Sequence, residues 1–124
     1  MKFLLAQINP VVGDLEGNAK KILCTASKAS STSADLVLTP ELSLWGYPAN
    51  DLLLKKNLIK NQYQILDQLA IDIYKKYGKL SITVGIAEII NDSFFPNLYN
   101  SIAMLERGEW KIIARKIILP TYEV

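Results

Sequence analysis

The segment Leu36-Val37-Leu38-Thr39-Pro40-Glu41 constrains this chain more than any other stretch. With Asp35 before them, four β-compatible residues run into a proline. Proline cannot donate to a sheet ladder, so a buried strand has to stop there. The residue that follows is a carboxylate set among Leu42, Leu44 and Trp45. In α/β folds reactive groups collect at the C-terminal ends of strands. The run Trp110-Lys111-Ile112-Ile113-Ala114 enters Arg115-Lys116 in the same way and carries a cation to a second strand end. A carboxylate and an ammonium at two strand ends form the strongest functional clue in the chain.

Around these ends the pattern reads β-α-β-α-β-β-β. Lys2 to Ile8 is apolar and ends at Asn9-Pro10, which predicts a first buried strand. From Glu16, the positions Ala19, Ile22, Leu23, Ala26 and Ala29 fall at helical spacing, and the helix ends in the Ser30 to Ser33 run. Asp35 to Thr39 is the second strand. Asn50 or Asp51 can cap a long helix with Leu58, Ile65, Leu66, Leu69, Ile73 and Tyr77 on one side, stopped at Gly78. Strands follow at Leu80–Ile86, Leu98–Leu105 and Trp110–Arg115, separated by a turn-rich loop at Asn91 to Asn97 and a hairpin turn at Arg107-Gly108-Glu109. Alternating units followed by a meander imply an α/β fold with a mixed β-sheet and helices on one face. The strands are apolar on both sides, so the other face needs a cover. The chain stops at Tyr122-Glu123-Val124 without a capping element, which predicts a fragment or a core completed by a partner.

At 124 residues, half of them hydrophobic, the chain has the size and apolar content of one small domain. Fourteen Lys and Arg against twelve Asp and Glu leave a net charge of +2, spread along the chain, which gives no basis for nucleic-acid or membrane attraction. Lys55-Lys56 and Lys75-Lys76 read as solvated helix faces. One cysteine cannot close an internal disulfide, and Phe3-Leu4-Leu5-Ala6 is too short and too close to Met1-Lys2 for a signal or a span. A cytoplasmic protein is expected. No histidine is present. That removes His-activated nucleophiles and most zinc ligation schemes within this chain, so a general base must be a carboxylate or a lysine.

Glu41 has two readings: a glutamate after proline can face water, or it can be retained for chemistry. Its apolar neighbours favour the second, because a carboxylate in a partly dry pocket is costly unless paired and can serve as a general base. Lys116 is similar. It and Arg115 must alternate, so one of the two points inward, and a fixed cation near Glu41 could stabilise negative charge on a carbonyl oxygen. Cys24 lies on a helix stripe rather than at a strand-to-helix turn and reads as a structural thiol. The glycines form no phosphate-binding pattern. Trp45, Tyr47 and Tyr122 read as core or as pocket walls.

Gln7 to Asn18, the Pro40-Glu41 loop running into Gly46-Tyr47-Pro48 and Asp51-Leu52-Leu53, Tyr99-Asn100-Ser101, and Lys116-x-x-Leu119-Pro120-x-Tyr122 together resemble the nitrilase (carbon-nitrogen hydrolase) superfamily. More narrowly, they are similar to the N-terminal glutamine amidotransferase domain of the glutamine-dependent NAD synthetase family, with Gly-Tyr-Pro-x-x-Asp-Leu-Leu favouring that branch. The resemblance implies half of a nitrilase-type αββα sandwich and a Glu-Lys-Cys triad. In it Glu41 would be the proton acceptor, Lys116 would stabilise the tetrahedral intermediate, and Tyr122 and Tyr47 would meet glutamine. The nucleophilic cysteine of that family lies past the lysine, and Cys24 does not match it. Residues 1–124 are therefore expected to be the N-terminal part of the domain, truncated before the nucleophile and inactive alone. As half a sandwich they are also expected to be poorly soluble or oligomeric. The implied activity is release of ammonia from glutamine for ATP-dependent amidation of deamido-NAD to NAD. ATP and Mg belong to an absent synthetase domain, this chain is expected to hold no cofactor or metal, and the full-length protein is expected to be a homo-oligomer. A stand-alone nitrilase-type amidase acting on another small amide and a truncated non-catalytic chain are the alternatives.

Overall fold

A computed structural model of the protein describes residues 1–46, 56–90 and 97–117. Seven elements follow one another as β1 (Phe3–Leu5), α1 (Leu15–Ser31), β2 (Leu36–Leu38), α2 (Lys56–Tyr77), β3 (Ser81–Ile90), β4 (Asn97–Glu106) and β5 (Glu109–Ile117). The strands form one sheet in chain order. β1, β2 and β3 are parallel, and β3, β4 and β5 are antiparallel. This is the α/β architecture with a mixed sheet that the pattern predicts.

Each helix forms for a local reason. Asp14 precedes α1, and its carboxylate accepts from the Gly17 N–H at 3.0 Å, satisfying one of the donors that a helix start leaves unpaired. The α1 stripe Leu15, Asn18, Ile22, Ala26 and Ala29 is buried. On α2, Ile59, Leu66, Leu69, Ala70 and Ile73 are buried, and the helix ends one residue before Gly78. These faces close over Val37, Ile82, Val84, Ile86, Ala103 and Leu105 of the sheet. Full burial of a Leu or Ile contributes about 1.5–3 kcal/mol relative to exposure, so this single layer carries most of the stabilisation. On the opposite face Phe3, Leu5, Ile102 and Ile113 stay exposed.

The structure departs from the sequence reading in several places. The first strand covers three residues rather than Lys2 to Ile8, because β2 is itself only three residues long and offers no further ladder. β3 runs on to Ile90, four residues past the expected end, because β4 pairs with it throughout. Cys24, expected as a structural thiol, is exposed on the outer side of α1. The Asn50 and Asp51 capping positions, Lys55 and residues 91–96 lie outside the described residues. The hairpin is as expected. Arg107 and Gly108 have φ of 56° and 83°, the pair of positive values that lets a two-residue turn match strand twist. Among the described residues, no helix is long and apolar enough to cross a membrane.

One edge shapes the site. β2 pairs with β3 only as far as Leu38 opposite Thr83, yet β3 continues with buried residues whose backbone groups need partners. The turn after Pro40 takes over. Gly85 N–H donates to Ser43 Oγ (2.9 Å), and Leu44 N–H donates to Gly85 C=O (3.1 Å). Two residues on, the buried Gln62 side chain of α2 mimics a strand: its Oε1 accepts from Ala87 N–H (3.0 Å) and its Nε2 donates to Ala87 C=O (2.6 Å). The same Oε1 accepts from Trp45 Nε1, which pins the turn to α2. A Cβ on Gly85 would lie 2.3 Å from Leu42 N and 2.7 Å from Pro40 O, both backbone atoms. Gly85→Ala is therefore expected to destabilise the fold by about 1–3 kcal/mol, because the turn must move. Chemical denaturation measures this, and an unchanged midpoint would mean that the turn does not rest on Gly85.

Candidate active site

Glu41 opens the turn that rests on Gly85. Leu42 behind it has φ +49°, a conformation uncommon for a bulky side chain and held only where surrounding contacts impose it. Those contacts are present. Thr39 Oγ1 donates to Thr83 C=O (2.6 Å), so the 2.7 Å bond between the two hydroxyls has Ser43 donating to Thr39, and Ser43 Oγ is left to accept from Gly85. From the other side, buried Asn18 donates to the carbonyls of Val11 (2.8 Å) and Leu44 (2.9 Å) and accepts from Val11 N–H (2.8 Å). The Gly13 N–H donates to Trp45 C=O at 2.8 Å. Both flanks of the turn are thus tied down, which fixes where the Glu41 carboxylate starts from.

Two donors meet that carboxylate. Lys116 Nζ of β5 lies 3.1 Å from Glu41 Oε1, and Asn100 Nδ2 of β4 donates to the same oxygen. Asn100 and Lys116 are directly paired across β4 and β5, so they share a face of the sheet. Glu41 and Lys116, chosen from sequence at positions 75 residues apart, are therefore side by side. Their side chains are 51% and 73% exposed. This corrects the expectation of a dry surround: Leu42, Leu44 and Trp45 are buried in the core rather than gathered around the carboxylate. Trp45 is a core residue, while Tyr47 and Tyr122 lie outside the described residues.

Arg115 takes the opposite face, as strand alternation requires. Its Nε donates to Glu88 Oε1 of β3 at 2.8 Å, and Ser101 Oγ of β4 donates to the same oxygen at 2.6 Å. Burial acts to raise the pKa of the Glu88 carboxyl. The Arg115 and Ser101 hydrogen bonds, with the Arg115 charge, outweigh it and hold the group below its ordinary value of 4.5. Arg115 is raised in turn by its bond to Glu88. Tyr63 of α2 is raised by burial and by the Glu88 charge.

Sequence reasoning missed Asn100 as a partner of Glu41, and it missed Glu88 altogether. Asn100 was visible only as part of Tyr99-Asn100-Ser101, and its role needs the β4–β5 register. The arrangement offers a carboxylate that can accept a proton and an adjacent ammonium that can meet a developing oxyanion.

A family model described as carbon-nitrogen hydrolase matches residues 5–124. A glutamine-dependent NAD(+) synthetase of Synechocystis sp. is 38% identical over 120 residues, covering 97% of this chain and 22% of that protein. A glutamine-dependent NAD+ synthetase structure from Acinetobacter baumannii, in complex with ADP, superposes with a TM-score of 0.77 at 33% identity, over 98% of this chain and 22% of that one. A variant of an amidase from Nesterenkonia sp. AN1, carrying an acrylamide adduct at its active site cysteine, superposes with a TM-score of 0.70 at 19% identity, over 100% of this chain and 46% of that one, and shares the fold. The chain spans about a fifth of the length of the NAD synthetases it matches.

The depressed Glu88 pKa has a signed consequence. A carboxylate whose native pKa lies below its unfolded value stabilises the fold above about pH 4.5 and loses that contribution as pH falls through the native pKa. Wild type is expected to exceed Glu88→Gln in thermal midpoint at pH 7, with the difference shrinking below pH 4.5. A difference independent of pH would contradict the charge pairing.

Proposed function

The chain belongs to the carbon-nitrogen hydrolase family, and from that premise we propose that it supplies two of the three reacting side chains with which its parent protein releases ammonia from glutamine. The observation that carries this reading is the 3.1 Å contact between Glu41 and Lys116. The parent protein is a glutamine-dependent NAD synthetase on this reading, as the similar proteins are.

The chemistry follows from the two head groups. A cysteine outside residues 1–124 gives its thiol proton to Glu41. Oε1 already accepts from Lys116 and Asn100, so Oε2 takes that proton. The thiolate attacks the side-chain amide carbon of glutamine, and the carbonyl oxygen becomes an oxyanion that the Lys116 ammonium stabilises. Collapse breaks the C–N bond, the Glu41 proton leaves with nitrogen as ammonia, and a thioester remains. Water then gives a proton to Glu41 and attacks the thioester, releasing glutamate and restoring the thiol. Asn100 keeps the carboxylate aimed throughout. Tyr47 and Tyr122 are assigned to the glutamine pocket on the resemblance of their motifs.

Ammonia so released serves the amidation of deamido-NAD in a separate ATP-using domain. Among the described residues, no group of three or more His, Cys, Asp or Glu side chains is placed to hold a metal ion.

The test compares two nitrogen sources in the full-length protein. Glu41→Gln is expected to lower glutamine-fed NAD formation by about 10²- to 10⁴-fold, and Lys116→Met by about 10²- to 10³-fold, with ammonia-fed formation retained in both. Variants that keep the glutamine-fed rate, or that lose both rates in equal proportion, would overturn the assignment.

A further inference from the structure

Side chains of a regular strand alternate, so Trp110, Ile112, Ala114 and Lys116 should share one face of β5. Trp110 faces the helices: it stacks on Tyr63 of α2 with ring centroids 5.7 Å apart, and its Nε1 donates to Asp67 of α2 at 2.7 Å. Lys116 meets Glu41 on the other face. One residue must therefore be inserted between them, and the register locates it. Ile102 of β4 pairs with Ala114 while its neighbour Ala103 pairs with Ile112, so Ile113 has no partner across the ladder. Such a bulge re-aims every residue beyond it. Were Ile113 taken into the regular alternation rather than bulged out, Lys116 would point under α2 and Arg115 would point toward Glu41.

A bulge alone can slide along a strand, and a fixed point beyond it is required. Glu88 of β3 supplies one. Its Oε1 accepts from Ser101 of β4 (2.6 Å) and from Arg115 of β5 (2.8 Å), and Ser101 and Arg115 are themselves a directly paired rung. One buried carboxylate thus holds two strands to a third, one residue away from the rung that carries Asn100 and Lys116. A slip of β5 by one residue would take Arg115 off Glu88 and break its two bonds, Nε to Oε1 and Nη2 to Oε2.

We infer that the inserted Ile113 and the Glu88 carboxylate together set the face on which Lys116 is presented, which makes Glu88 a positioning residue for the amide hydrolysis proposed above, a reading on which this inference rests. The Glu88 side chain bonds Ser101 and Arg115 rather than Glu41, Asn100 or Lys116, so it acts through the aim of Lys116.

The experiment is done in the full-length protein with glutamine-fed and ammonia-fed rates measured side by side. Glu88→Gln is expected to lower kcat for glutamine by about 10- to 100-fold with KM little changed, because misplacement by an ångström has costs of that size. The double variant Glu88→Gln/Arg115→Gln should fall no further than either single variant, the signature of residues acting as one unit. Deleting Ile113 removes the extra residue and leaves Ala114, Arg115 and Lys116 opposite Ile102, Ser101 and Asn100, so this variant should keep Lys116 on its present face and retain glutamine-fed activity. Should that deletion fail to fold, Glu88→Gln carries the test. Crystal structures of the Glu88 and Arg115 variants should show Lys116 Nζ more than 4 Å from Glu41. An unchanged kcat in Glu88→Gln, an equal loss of ammonia-fed synthesis, a Lys116 still seated on Glu41 in Glu88→Gln, or a folded Ile113 deletion with Lys116 turned under α2 would each overturn the inference. If wild type itself releases no ammonia from glutamine, the functional reading falls, and the variant structures alone decide whether Glu88 aims Lys116.

Discussion

Buried backbone groups on the edge of β3 have to find partners after β2 stops, and the rest of the site depends on how they do so. A strand interrupted by Pro40 leaves Gly85 and Ala87 facing a gap in the ladder. Leaving such groups unpaired costs about 1–3 kcal/mol each. The chain fills the gap with a turn on one side and a glutamine side chain on the other, and Trp45 ties the two fillers together through Gln62. The turn is held because the edge must be satisfied, and Glu41 stands at its head. The positive φ of Leu42 is tolerated in that setting, because Ser43, Leu44 and Trp45 are each bonded to something rigid.

The second requirement is that a cation arrive from a distant strand on the correct side. Arg115 and Lys116 are adjacent and chemically alike in sign, so the strand decides which of them meets Glu41. The difference between the two outcomes is one residue of register. On the helix side a buried carboxylate accepts a guanidinium and a hydroxyl. On the open side an exposed carboxylate accepts an ammonium and an amide. Arg suits the first because its planar fork reaches Glu88 through Nε and Nη2, while Lys suits the second as a compact charge that can turn toward a reacting oxygen.

Much of the fold was legible because its punctuation is local. Pro40 ends β2, Gly78 follows α2, and Arg107-Gly108 makes the hairpin, each through backbone limits that a single sequence displays. Glu41 and Lys116 stood out as candidates because each ends an apolar run. The remainder needed pairing that only the assembled sheet reveals. Nothing in Ile112-Ile113-Ala114 marks Ile113 as the inserted residue, since all three fit either face. Glu88 lies past the expected strand end at Ile86, and its part becomes visible only with Ser101 and Arg115 beside it. Gln62 is not singled out by the helical pattern of α2, and its burial follows from a backbone need on another element. The dry surround expected for Glu41 failed for a related reason: the apolar residues beside it in sequence are consumed by the core.

The account rests on one carboxylate and one ammonium acting on the same substrate atoms. The most direct measurement is a crystal structure of the full-length protein with a glutamine-derived acyl group trapped on its nucleophile. The prediction is that Lys116 Nζ sits within hydrogen-bonding distance of the acyl oxygen while Glu41 reaches the attacking sulfur or the water that replaces it. An acyl group bound elsewhere, with both head groups out of reach, would contradict it.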